Sequence, residues 1–111
     1  MIEIMIKQYL DGHLSVPSFL ERPVNVPERF VLFEKTGSSE TNHLPASTMA
    51  FQSYAESLYE AALLNGEIKE VVKSMIALNE IRGISLNSDY PFPDTTTKEY
   101  RYQAVYDIKH Y

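Results

Sequence analysis

The spacing of hydrophobic residues predicts a short helix and then several strands in the first half of the chain. Residues 2–10 repeat apolar side chains at helical spacing, and Gly12 follows at the position of a C-terminal cap. Residues 16–20 are apolar but contain a proline, which is typical of an edge strand or an irregular strand. Residues 29–35 hold four consecutive apolar residues and indicate a strand buried on both faces over its middle. Residues 44–54 are predicted as the next strand.

A long helix is predicted in the middle of the chain. Ser57 and Glu60 have the spacing of a capping box, although Ser53 and Glu56 fit the same pattern one turn earlier. An apolar stripe continues in phase past Gly66. The residues of this stripe are Leu58, Ala61, Ala62, Ile68, Val71, Val72, Met75 and Ile76.

The last third of the chain predicts two strands around an irregular turn. Residues 83–88 alternate apolar and polar side chains, whereas residues 90–94 contain two prolines and are predicted to lie outside regular structure. Residues 100–108 alternate cleanly and predict the last strand. The order of helix, strands, helix and strands predicts one α+β domain over residues 1–111. We expect a mainly antiparallel sheet of about four to five strands, with a mixed sheet as the alternative. Both helices would pack on one face of this sheet.

Two segments are candidates for an assembly interface. Residues 36–42 are small and polar and predict a mobile loop between strands; the candidate interface residues within it are Gly37, Ser38, Ser39, Glu40, Thr41 and Asn42. Tyr90 and Phe92 lie in the predicted turn, where an interface role is favoured because aromatic residues are enriched at protein interfaces. By contrast, we interpret at least two of Tyr100, Tyr102 and Tyr106 as facing the core.

Composition narrows the classes of partner. The 111 residues have a formal net charge of −5, which argues against nucleic acid and against an anionic membrane surface. The chain has no cysteine, so disulfides, thiolate nucleophiles and zinc–thiolate sites are excluded, in keeping with a reducing cytoplasm. The N-terminal residues do not resemble a signal peptide, and no apolar run approaches the roughly 18–20 residues of a membrane span.

No residue pattern indicates catalysis. His13, His43 and His110 are far apart and are interpreted as surface or loop residues, since none has a partner at metal-ligand spacing. Ser57 is better explained by helix capping than as a nucleophile, because no nucleophile-elbow pattern surrounds it. We therefore predict a protein with no catalytic residue, metal or cofactor.

Two stretches resemble small tail proteins of long-tailed bacteriophages. One is residues 51–62, FQSYAESLYEAA, in which a predicted strand runs directly into the long helix. The other is residues 94–98, DTTTK, followed by residues 100–107, YRYQAVYD. Together with the chain length and element order, they are most similar to the tail terminator, also called the tail-completion or tail-to-head joining protein.

The resemblance implies a structural virion protein without enzymatic activity or cofactor. Such proteins form a ring, commonly of six subunits, that caps the tail tube, ends its polymerisation and offers a surface to the head connector. The implied partners are other copies of the chain, the tail tube protein and the head connector protein, in the virion tail or neck and in the host cytoplasm during assembly. Two alternatives stay open, namely a head-completion or connector protein of the neck and a cellular protein-binding adaptor.

Overall fold

The computed structural model describes residues 2–41, 44–93 and 99–111. The chain order is helix α1 (Ile2–His13), strands β1 (Ser18–Phe19), β2 (Phe30–Thr41) and β3 (Leu44–Ala55), helix α2 (Leu58–Ser74), and strands β4 (Ile81–Pro91) and β5 (Tyr100–His110). A 3₁₀ turn, Met75–Ala77, extends α2. The strands form one sheet in the order β1-β2-β3-β5-β4, in which only the β1–β2 pair is parallel. The predicted α+β fold with a mostly antiparallel sheet is confirmed.

Both helices pack on one face of this sheet and enclose the hydrophobic core. Alternate residues of β2, β3 and β5 point to this face, because successive side chains of a strand lie on opposite sides of the sheet. The fully buried strand side chains include Val31, Phe33, Met49, Phe51, Ala104 and Ile108, and the helices contribute Ile6, Leu10, Ile68, Val72 and Met75. Phe30 and Val31 are adjacent and both buried, which confirms the predicted burial of both faces of β2.

The start of α2 follows the capping prediction. The Ser57 side chain accepts a hydrogen bond from the Glu60 amide at 3.1 Å, so this cap is used and not the earlier Ser53. The predicted stripe is correct at its centre, but Leu58 and Ile76 at its two ends are 42% and 51% exposed. Leu64, which the predicted stripe omits, is buried because it lies three or four residues from Ala61 and Ile68 on the same face of the helix.

Three further expectations differ from the structure. Gly12 lies inside α1, and the helix ends one residue later at His13. The first two residues of the predicted irregular turn belong to β4, because an edge strand tolerates Pro91 where its missing amide would point away from the sheet. Of the three C-terminal tyrosines, Tyr106 alone is buried, while Tyr102 is half-buried and Tyr100 is exposed.

Candidate assembly interface

The segment predicted as a mobile loop is the tip of a β-hairpin. Gly37, Ser38, Ser39, Glu40 and Thr41 pair in sequence with residues 48 to 44 of β3, following a β-bulge at Thr36. The loop prediction for residues 36–41 is therefore wrong. Small polar side chains form a strand here because β3 supplies the backbone partners, which a local pattern of residues does not reveal. Asn42, the last residue of the predicted loop, lies outside the described residues.

The hairpin tip nevertheless presents an exposed polar surface. Ser38, Ser39 and Glu40 are exposed, whereas Gly37 is half-buried, with the position of an added Cβ 3.9 Å from the Cβ of Thr48. The hydroxyl of Thr36 at the bulge donates to the carbonyl oxygen of Thr48 at 3.3 Å. Residues 37–41 are thus held as a strand paired with β3, and Ser38, Ser39 and Glu40 carry exposed polar side chains.

Tyr90 and Phe92 lie together at the end of β4. Their rings meet edge to face at 5.9 Å, and each side chain is 39% exposed. The Tyr90 hydroxyl accepts a hydrogen bond from Gln103 at 2.5 Å, and Gln103 in turn accepts one from Gln52 at 2.8 Å. This chain of polar contacts fixes the aromatic pair on the sheet face opposite the helices.

A row of aromatic and arginine side chains crosses the sheet beside this pair. Phe30 stacks on Tyr54 at 4.6 Å, and the Arg101 guanidinium lies 5.7 Å from the Tyr54 ring and 4.2 Å from the Phe92 ring. At the other end, Arg22 lies over both Phe30 and Tyr54 and donates to the Glu99 carboxylate at 2.8 Å. That hydrogen bond raises the pKa of the Arg22 guanidinium above its ordinary value. The row joins β2, β3 and β5 and anchors the exposed Phe92, which directly follows β4.

The structure does not bring the two predicted interface segments together. Tyr90 lies at the level of Gln103 and Gln52, near the start of β2, whereas residues 37–41 form the end of β2. The strands that carry them, β4 and β2, lie toward opposite edges of the sheet, in the order β1-β2-β3-β5-β4. The candidate residues therefore occupy two separate surfaces of one subunit.

Both sides of the sheet end in a strand edge that the described residues leave largely open. β1 pairs only with Val31 and Leu32, so the remainder of β2 has no strand on its outer side among the described residues. β4 is the last strand on the opposite side. Open strand edges are templates for pairing with another chain. The sequence analysis missed both edges, since the order of strands in a sheet is not visible in the residue pattern.

A groove of about 320 Å³ lies beside the β4 edge. It is lined by Lys69, Glu70, Lys73, Ile84, Leu86 and Tyr106. Asp89 of β4 accepts hydrogen bonds from Asn65 at 2.6 Å and from Lys69 at 2.5 Å, which ties the strand to α2. Burial raises the pKa of the Tyr106 hydroxyl, and the nearby carboxylates of Asp89 and Glu70 raise it further.

The raised pKa of Tyr106 predicts a loss of stability in alkali. Because the Tyr106 pKa is higher in the folded chain, the native protein still holds this proton at a pH where the unfolded chain has released it. The contribution of Tyr106 to the free energy of unfolding is therefore complete below about pH 10 and is lost as the pH rises further. Between pH 9 and pH 11 the free energy of unfolding, measured in urea, should therefore fall more steeply for the wild type than for Tyr106→Phe. Tyr59→Phe, at a site that is 70% exposed, controls for the loss of a hydroxyl group. Equal slopes for wild type and Tyr106→Phe would contradict the prediction.

Two of the three histidines lie among the described residues, and both contact neighbouring side chains. His13 stacks on Tyr9 at 4.0 Å near the end of α1, and Nε2 of His110 lies 2.9 Å from the Ser47 hydroxyl. His43 lies outside the described residues. Over residues 2–41, 44–93 and 99–111, no three His, Asp or Glu side chains are grouped so that they could hold a metal ion. No helix in the same ranges is both long enough and apolar enough to span a membrane.

The sequence matches no protein-family model, and no curated protein matches it significantly.

Proposed function

We propose that this chain is a structural assembly protein of a long-tailed bacteriophage, a subunit of a ring that caps the tail tube, ends its polymerisation and provides the head-joining surface. The ring would have six subunits, as is common in the family that the sequence resembles. In this proposal the chain acts through contacts with other chains and carries no catalytic residue or cofactor.

The observation that supports the proposal is that two different strand edges, those of β2 and β4, are open on opposite sides of the sheet among the described residues. A cyclic ring requires a heterologous contact, in which one patch of a subunit meets a different patch of the next. The outer side of β2 with its polar tip and the outer side of β4 with its aromatic corner are two such patches. A subunit that used one patch twice would close as a dimer.

Charge and geometry suit contact between proteins. The net charge of −5 disfavours binding to the phosphates of nucleic acid. Tyr90 and Phe92 are rigid, partly exposed and held by Gln103 and Arg101, so they can bury apolar surface without much loss of conformational freedom. We assign them, with residues 37–42, to contacts within the ring or with the tube.

The concentration dependence of the native mass tests the proposal. Wild-type protein should change from monomer to a closed oligomer as concentration rises, or on addition of tail tubes assembled from the tube protein of the same phage. Negative-stain images should then show rings or capped tubes. Phe92→Ser should weaken this association at least tenfold, while Tyr111→Ser, an exposed aromatic at the chain end, serves as the matched control.

A cellular adaptor predicts a different result from the same measurement. An adaptor that binds peptides along an open strand edge would stay a monomer or dimer at every concentration and would ignore tail tubes. A head connector of the neck would form rings that do not cap tubes. Either outcome would overturn the tail-terminator assignment.

A further inference from the structure

The backbone groups of β2 that point away from β3 form a regular pattern with one interruption. The Val31 amide donates to the carbonyl oxygen of Pro17 in the segment leading into β1, so Val31 directs its backbone groups away from β3. The direction of the backbone N–H and C=O groups alternates from residue to residue, so those of Lys35 also point away from β3. Beyond the bulge, the register with β3 gives the same direction to Ser38 and Glu40. We call residues whose backbone groups point away from β3 outward residues. Consecutive outward residues of β2 are two positions apart, except at the bulge, where the step from Lys35 to Ser38 is three positions.

The outer edge of β4 has a similar pattern with two interruptions, because its pairing with β5 shifts between Ile81 and Gly83 and again between Leu86 and Ser88. The Phe92 amide donates to the carbonyl oxygen of Arg101 at 2.8 Å, so Phe92 faces β5. β5 is uninterrupted over this range, so the backbone direction alternates regularly along it. Through their pairing with β5, Ile84, Leu86 and Asp89 have their backbone groups directed away from β5, toward the outer edge. A second bulge at Asn87 makes the step from Leu86 to Asp89 three residues, whereas the step from Ile84 to Leu86 is two.

We propose that β4 of one copy pairs antiparallel with β2 of the next copy, so that the sheet continues from subunit to subunit. Lys35 then lies opposite Asp89, and Ser38 lies opposite Leu86. This interface rests on the proposed function, since it is the subunit contact of the ring. The strand directions are compatible, because β2 and β4 run in opposite directions within one subunit, and copies related by rotation in a ring keep those directions.

The bulges restrict the possible registers. In the proposed alignment the three-residue step of β2, from Lys35 to Ser38, falls opposite the step from Leu86 to Asp89, so outward backbone groups meet on both sides of the interruption. The other three-residue step of β4, from Ile81 to Ile84, would instead place Lys35 opposite Ile84, without a pair of opposite charges. A bulge normally protects an edge against pairing with a regular strand. Two matched bulges restore the pairing for this partner and disfavour others. The side chains of the paired residues also point to the same face, the one that carries the helices.

Charge and exposure favour this pairing over the pairing of two β4 edges. Lys35 and Asp89 have opposite charges and would meet directly across the junction, where Lys35 would join Lys69 and Asn65 around the Asp89 carboxylate. Leu86, which is 50% exposed beside the groove of Lys69 and Lys73, becomes covered by the next subunit. A symmetric β4–β4 pair would also align the bulges, but it would place Leu86 against Asp89 and would close as a dimer.

Disulfide trapping tests the register, because the chain has no cysteine of its own. Residues in a hydrogen-bonded antiparallel pair have Cα atoms about 5.5 Å apart, within the range that a disulfide spans. Under mild oxidation the full-length double variant Ser38→Cys/Leu86→Cys should form a ladder of covalent oligomers. Neither single variant should do so. The matched control is Ser39→Cys/Leu86→Cys, which should give at least tenfold less product because Ser39 directs its backbone groups toward β3.

Three results would overturn the inference. Covalent dimers alone, formed by Leu86→Cys/Asp89→Cys, would show that β4 pairs with β4. Rings seen by imaging without the Ser38–Leu86 disulfide would place the ring contact elsewhere and leave the proposed function standing. A chain that stays monomeric and unlinked, both alone and with tail tubes, would overturn the interface and the proposed function together. Circular dichroism of the reduced variants checks that each one is folded.

Discussion

Replacing Phe51 with alanine should lower the free energy of unfolding by about 3–5 kcal/mol, the range for truncation of a buried phenylalanine. The Phe51 side chain is fully buried in the central strand β3. It stacks on Phe33 at 5.8 Å and meets Tyr106 edge to face at 6.2 Å, so its removal opens a cavity between three strands and the helix layer. Since domains of this size are stable by roughly 5–15 kcal/mol, the variant should be close to unfolding at room temperature.

Urea denaturation followed by circular dichroism measures this effect. Leu58→Ala is the matched control, because Leu58 is also a large apolar residue but is 42% exposed at the first turn of α2. The control should change the free energy of unfolding by less than about 0.5 kcal/mol. A loss below about 1 kcal/mol for Phe51→Ala would contradict the packing of β3 described above.

Replacing Arg101 with methionine should cost about 2–3 kcal/mol, although Arg101 lies outside the main core. Its guanidinium donates to the Tyr54 hydroxyl at 2.8 Å and to the carbonyl oxygen of Phe92 at 2.6 Å. Each hydrogen bond from a charged donor contributes about 1.5–3 kcal/mol, offset in part by desolvation, and the contacts with the two rings add about 0.5–1 kcal/mol. Methionine keeps most of the apolar stem, so the loss reports on the guanidinium.

Arg82→Met provides the matched control for this prediction. Arg82 lies 5.1 Å from the Tyr111 ring but is exposed at the opposite end of the sheet, and its loss should cost less than about 1 kcal/mol. Unfolding in urea compares the two variants. Equal costs would mean that the row of aromatic and arginine side chains across the sheet contributes no more than a surface contact.

The residue pattern predicted the helices, the fold class and most strands correctly because those features depend on local periodicity. Ser57 and Glu60 marked the start of α2, and the alternation of residues 100–108 marked β5. The pattern was wrong at residues 36–41, where serine, glycine and threonine are typical of a loop. Those residues form a strand because β3 lies beside them and satisfies their backbone groups.

The candidate interface also depends both on local residue patterns and on pairing between distant segments. The sequence singled out Tyr90, Phe92 and the polar segment near Gly37, and the structure keeps them exposed. It did not indicate that they lie on opposite sides of the sheet, nor that two bulges with the same step occur on the two outer edges. Strand order and bulge position arise from pairing between distant segments, which no local pattern contains.

By itself, then, the sequence determined an α+β domain, the capped helix, a net charge of −5 and the absence of cysteine from the 111 residues. Only the tertiary structure decided that β4 and β2 form the two open edges and that Arg101 joins Tyr54 to Phe92. The physical reason is that periodicity and capping act within one turn or one strand, whereas edges and arginine–aromatic contacts require segments that are distant in the chain to meet.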